Sequence, residues 1–294
     1  MSSTRSDPPG TSSGLSRRRL LTGAATAGAG VLFASTLGRP AFAASAPPPA
    51  FPDPVDRFIW VEGAFNTRDF GGYDVGRRQI ATGMLWRTSA LNNVDANGVA
   101  TLATLNLGIV ADFRSHGEVA GGLDVLPAGV RNIFVPIGDP APAVQPAGVR
   151  IRNMAVTPND PPPPGGLTQP DPATIAEFQS YITSDEAKSS LGTAIRTLAR
   201  QHKPFMWHCS SGTYRTGWAT TVLLTLLGVD QDDVYSEFLL SNLALGGTYA
   251  FSQYLDAAFA EANTVYGSFR RYVHEGLHVS AETEMRLRHR LLCH

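Results

Sequence analysis

Ten residues set the terms for the whole chain: His208-Cys209-Ser210-Ser211-Gly212-Thr213-Tyr214-Arg215-Thr216-Gly217. The apolar run Pro204-Phe205-Met206-Trp207 before them reads as a buried strand, and residues 216–227 after them read as a helix. A strand that passes through a tight loop into a helix commits the chain to an α/β arrangement, with the loop at a strand's carboxyl end. Such a loop turns unpaired backbone N–H groups inward, and the helix dipole adds partial positive charge. A phosphate dianion sits there readily. Gly212 supplies the backbone freedom that the turn needs.

Ser210, Ser211, Gly212, Thr213, Tyr214 and Arg215 are therefore the expected phosphate cradle. The planar Arg215 guanidinium can grip two phosphate oxygens, which a lysine ammonium cannot do. A helix N-terminus with a neighbouring cation favours thiolate over thiol, so Cys209 is the expected nucleophile. Attack on phosphorus would give a phosphocysteine that water then hydrolyses. The Thr216 hydroxyl is placed to hydrogen-bond the departing thiolate. His208 is expected to order the loop through backbone carbonyls, since a thiolate needs no base. A nucleotide-binding loop is excluded in its usual form because no Gly-Lys-Ser/Thr is present. No cofactor or metal is expected: no second Cys or His pair stands at zinc-ligand spacing.

The N-terminus reads as an export signal. Arg17-Arg18-Arg19 opens a Gly/Ala-rich apolar run to Leu37, and Ala41-Phe42-Ala43 offers a small-residue cleavage site. The paired arginines and mild apolar core point to the twin-arginine route, with Sec export as the alternative. The expected organisation is a signal peptide over 1–43, a Pro-rich linker over 44–56 and a catalytic domain over 57–294, exported from a bacterial cell. Residues 1–43 carry five arginines and one aspartate, so removing them takes the formal charge from −1 to −5. A mildly acidic domain has no electrostatic footprint for nucleic acid or an anionic membrane, and no stable membrane anchor is expected. Cys209 and Cys293 are the only cysteines. Cys293 is either a resolving thiol for oxidised Cys209 or an incidental tail residue.

Periodicity along the rest of the chain predicts strands at 58–61, 84–86, 108–111 and 130–137. It predicts helices at 96–105 (capped by Asp95), 173–182, 191–200, 232–241, 251–263, 269–274 and 281–292. Residues 138–172, with the run 161–164 of prolines and Gly165-Gly166, read as a long surface loop without regular structure. The fold class expected is α/β, a mostly parallel central sheet flanked by helices, with a helical C-terminal third.

Several segments carry a resemblance to the secreted bacterial tyrosine and dual-specificity phosphatases, some of which also act on lipids. Residues 66–73, Asn-Thr-Arg-Asp-Phe-Gly-Gly-Tyr, resemble that family's Asn-Phe-Arg-Asp-Leu-Gly-Gly opening. Residues 85–91 resemble its Tyr-Arg-Ser segment, 110–115 with Glu118 its Asp-Leu-Arg-Ser…Glu strand end, and 238–242 and 266–268 its C-terminal helices. The resemblance implies a phosphatase-like fold and a phosphorylated peptide, lipid or small-molecule substrate. The family loop usually reads His-Cys-x-x-Gly-Lys-Asp-Arg, and here Thr213-Tyr214 replace Lys-Asp. That removes a charge suited to polyanionic head groups and one acid candidate.

Three places are left for the acid that protonates the leaving oxygen: Asp112 at the end of the 108–111 strand, Asp139 after the 130–137 strand, or an aspartate within 140–172. Tyr214 either stacks on an aromatic substrate group or packs on its neighbours. Arg68 and Arg114 are expected to form structural ion pairs with Asp69 or Glu118. The sequence thus predicts a metal-independent phosphomonoesterase acting through a phosphocysteine on phosphotyrosine-like substrates. The alternatives are a catalytically silent phosphate-binding module and a rhodanese-like sulfurtransferase.

Overall fold

Short apolar runs, each long enough only to cross one layer, fix the centre of the molecule. The structure is a computed structural model describing residues 53–138 and 165–293. Expectations for residues 1–43, for most of the linker, for Asp139 and for much of the 138–172 loop fall outside the described residues. A 3-10 turn at Pro54–Arg57, capped by Asp53, leads to β1 (Arg68–Asp69), then to β2 (Asp74–Val75) and β3 (Arg78–Ile80). Next come β4 (Leu85–Thr88), α1 (Ala96–Thr104), β5 (Ile109–Asp112), α2 (His116–Val119) and β6 (Arg131–Phe134). The second stretch holds β7 (Gly165–Gly166), α3 (Pro172–Thr183), α4 (Asp185–Arg200), β8 (Phe205–His208) and α5 (Arg215–Leu227). It closes with α6 (Gln231–Leu245), β9 (Gly247–Thr248), α7 (Ser252–Tyr266), α8 (Phe269–Arg271), a π turn at Tyr272–Gly276, α9 (Ala281–Leu291) and β10 (Leu292–Cys293).

The central sheet runs β1-β4-β8-β5-β6, parallel throughout except for the antiparallel edge strand β1. Both faces of the inner strands β4, β8 and β5 are covered, as buried parallel strands require, while the edge strand β6 is largely exposed. Strand alternation divides the core: Phe205, Trp207, Ile109 and Ala111 join one cluster, while Met206 and Val110 join the other with Leu102 of α1. The expected α/β class, the parallel sheet and the helical C-terminal third are what the chain forms.

Differences from the sequence reading have local causes. Residues 58–61 make only isolated bridges, Phe58 to Arg68 and Val61 to Ala64. Helix α4 begins at Asp185, six residues before the 191–200 stretch, because Ser184 caps it by accepting from the Ala187 N–H. Gly165-Gly166 pairs in parallel with Gly247-Thr248, which corrects the expectation of no regular structure there. The hairpin of β2 and β3 completes a small antiparallel sheet with β10, an element the sequence reading missed. Cys293 on β10 is a free thiol whose Sγ donates to the Gln79 carbonyl at 3.3 Å. No helix among the described residues is long and apolar enough to cross a membrane.

Helix α5 is buried on nearly every face, as its all-round apolar sequence predicts. Leu223→Ala at its fully buried centre should cost about 2–5 kcal/mol through lost contacts and a residual cavity. Urea unfolding would show a lower midpoint with an unchanged slope.

Candidate active site

β8 delivers Cys209 to the carboxyl edge of the sheet, and α5 starts at Arg215. Trp207 fixes these two arms: its ring stacks on Phe70 at 5.3 Å and its Nε1 donates to Thr220 Oγ1 of α5 at 3.1 Å. Between them Gly212 adopts φ +70°, and a Cβ there would collide with the Thr88 carbonyl oxygen. Only glycine lets the loop lie directly on the end of β4. The N–H groups of Ser210, Ser211, Gly212, Tyr214 and Arg215 meet no acceptor among the described residues. Five donors at one strand-to-helix turn form a ready anion seat.

Cys209 is nearly buried and lines a cleft of about 570 Å³ that Ser210, Ser211, Thr213, Tyr214 and Arg215 also line. Arg215 turns inward. Its Nη1 and Nη2 hold Glu118 in a bidentate pair at 2.6 and 2.7 Å, and Nη1 also donates to the Phe113 and Ile137 carbonyls. Nη2 also donates to Ser210 Oγ at 3.3 Å, while Nε has no acceptor among the described residues and remains for a phosphate oxygen. Burial alone would raise the Glu118 carboxyl, but Arg215 outweighs it and holds it at about 2. Thr216 is fully buried with its hydroxyl unpartnered, so the expected bond to Cys209 is not formed here. Tyr214 packs edge-on against Phe178 and Tyr254 at 6.0 and 5.8 Å, the second of its two expected placements.

Charged groups from distant segments hold the loop from beneath. Arg87 donates to Glu237 at 2.6 Å and to the Gly212 carbonyl at 2.5 Å. Arg68 donates through Nε to the other Glu237 oxygen at 2.7 Å, and Asn66 Nδ2 donates to the Ser211 carbonyl at 3.2 Å. Burial pushes Glu237 up, yet Arg68 and Arg87 overcome it and keep the carboxyl below its ordinary value. Burial, reinforced by Arg68, brings Arg87 down to about 10.

Asp112 does not reach the cleft. Its oxygens accept from the Arg114 backbone N–H at 2.9 Å, from Nε at 3.0 and 3.1 Å and from Nη2 at 2.8 Å. An aspartate two residues before an arginine at a strand end closes on that arginine, which corrects its expected place as the acid. Arg114 also holds Asp124 at 2.8 Å. Asp124 in turn accepts from His208 Nε2 at 2.8 Å, and His208 Nδ1 donates to the Cys209 carbonyl at 3.0 Å. His208 thus orders the loop through a carbonyl, as expected, from a carboxylate partner that the sequence did not reveal. The expected pairings of Arg68 and Arg114 are likewise replaced, by Glu237 and by Asp112 with Asp124. Asp69 instead accepts the Gly71 and Gly83 N–H groups. Asp112, Asp124 and His208 lie close enough together to hold a metal ion, but Arg114 occupies both carboxylates and His208 Nε2 is spent on Asp124.

With this geometry in hand, residues 59–293 match the tyrosine phosphatase family. The chain belongs to that family. It is similar to a Cupriavidus necator protein named as a tyrosine-protein phosphatase, at 27% identity over 73% of this chain and 82% of that one. It is also similar to the triple specificity protein phosphatase PtpB of Mycobacterium tuberculosis, at 30% identity over 61% of this chain and 67% of that one. Among solved structures, the Pseudomonas aeruginosa TpbA crystal structure is similar at 18% identity and a TM-score of 0.30, covering 63% of this chain and 91% of that one.

This tyrosine phosphatase family member carries a built-in pH dependence in its loop support. Burial would lower His208, but Asp124 and Asp112 overcome that and lift it from 6.5 to about 9. A raised pKa contributes stability that is complete below about 6.5 and is lost as pH climbs through about 9. Stability should therefore fall by roughly 2–3 kcal/mol over that interval. Urea unfolding across it would show the slope, and His208→Gln should flatten it.

Proposed function

We propose that this phosphatase is a metal-independent phosphomonoesterase that works through a phosphocysteine on Cys209, with phosphotyrosine-like esters as its substrates. The single observation that carries the reading is the juxtaposition of Cys209, five unpaired loop N–H groups and an inward Arg215 in one cleft. The N–H groups and the Arg215 Nε edge would bind the three non-bridging oxygens. Their donors are already aimed where charge develops, so no reorganisation is needed at the moment of reaction. Glu118 fixes the guanidinium plane from behind, because a bidentate carboxylate leaves it one orientation.

The Cys209 sulfur forms the S–P bond as the P–O ester bond breaks. Water then forms a new P–O bond and the S–P pair returns to sulfur. The buried, unpartnered Thr216 hydroxyl costs about 1–3 kcal/mol where it stands. A hydrogen bond to the departing thiolate would recover that cost in the second step. Phe65, Leu167, Pro170 and Tyr249 give the cleft apolar walls, which suit an aryl ester.

Turnover of an aryl phosphate in EDTA should persist at the full rate. Cys209→Ser should abolish it, and Arg215→Lys should reduce it at least ~10²-fold because charge alone does not restore the planar grip. Rapid-quench labelling should trap a phosphoenzyme, and Thr216→Ala should make it accumulate. Retained phosphate binding without any turnover would point to the silent module instead.

A further inference from the structure

The phosphocysteine reading needs a proton donor for the departing ester oxygen, and the loop itself carries none. Tyr214, the residue before Arg215, is wedged among Phe178 and Tyr254, and its hydroxyl donates to the Tyr249 carbonyl at 3.3 Å. Among the described residues three carboxyls line the cleft: Glu118, Asp171 and Glu177. Glu118 is consumed by Arg215. Asp171 caps α3, accepting from the Ala173 and Thr174 N–H groups and from Thr174 Oγ1 at 3.0 Å.

Glu177 is differently placed. It is half-buried on the wall that α3 presents to the cleft, and its Oε1 accepts from the Tyr181 hydroxyl. Its Oε2 has no hydrogen-bond partner among the described residues. We propose that Glu177 is the general acid of the first step and the general base of the second.

The surroundings suit that work. Burial raises the Glu177 carboxyl above its ordinary value; Arg215 of α5 and the Tyr181 hydroxyl oppose the rise, while Glu118 and Asp171 add to it. The phenols of Tyr214 and Tyr254 also face it. A carboxyl kept protonated nearer to neutral pH is matched to proton transfer. As the ester P–O bond breaks, its electron pair goes to the leaving oxygen, which takes the Glu177 proton. The resulting carboxylate is held by the Tyr181 hydroxyl and by the field of Arg215. In the second step it takes a proton from the attacking water, yielding inorganic phosphate and the protonated Glu177.

The test is a leaving-group series with Glu177→Gln. Turnover of phenyl phosphate should fall on the order of 10²-fold or more, whereas an ester of a strongly acidic phenol should change only a few-fold. The alkaline limb of the kcat profile should disappear. Tyr181→Phe removes a donor that favours the carboxylate, so its alkaline limb should move to higher pH. A folded Glu177→Gln that slows both esters equally and keeps its limb would overturn the assignment. So would finding the same signature in Asp171→Asn or Asp139→Asn. If Glu177→Gln does not fold, an unshifted limb in Tyr181→Phe overturns it alone. Absence of a phosphoenzyme in the wild type would instead defeat the phosphocysteine reading, which keeps the two failures apart.

Discussion

Everything at this site rests on a buried carboxylate between two buried arginines. Glu237 on α6 bridges Arg68 on β1 and Arg87 on β4, and Arg87 reaches on to the loop carbonyl at Gly212. Unpaired, any of the three would be prohibitive inside a core; together they offset one another's charge, with Arg87 Nε alone of the three side chains' polar atoms left without a partner among the described residues. Around it the carbonyls of Gly212 and Thr213 point onto Arg87 and that of Ser211 onto the Asn66 amide, opposite to the N–H groups of the residues that follow. An anion seat is thus obtained by anchoring the opposite pole of the same peptides. Gly217 fits this arrangement, since a Cβ there would strike the Phe238 ring that packs beside Glu237.

A second polar layer works from the neighbouring strand. Arg114 gathers Asp112 and Asp124, and Asp124 sets His208 on the Cys209 carbonyl. The two layers approach the loop from different strands and share no residue. One fixes the middle of the loop and the other its first peptide. A loop held at both points has little freedom left, which is what a preorganised electrostatic site demands.

What the sequence disclosed follows from how far apart the partners lie. The strand, loop and helix around Cys209 are contiguous, so spacing and apolar pattern suffice to place them. The Asp95 cap and the buried α5 are legible for the same reason. Glu237 stands 169 residues from Arg68 and 150 from Arg87, and no local pattern marks it as their partner. Asp112 misled because a strand-end position suggests access to ligand, while the arginine two residues on closes it off. Glu177 lies on a helix readable from its periodicity, but only the packing of α3 beside the loop brings it to the cleft. Gly165-Gly166 has no side chains to betray a pairing made purely through backbone atoms.

The small bridge between Gly165-Gly166 and Gly247-Thr248 has a bearing on how such a molecule can diverge. Arg215 fastens the chain at the Ile137 carbonyl, and the bridge fastens it again at 165. Both anchors grip backbone atoms, so the hold at 137 and at 165 does not depend on the length of chain between them.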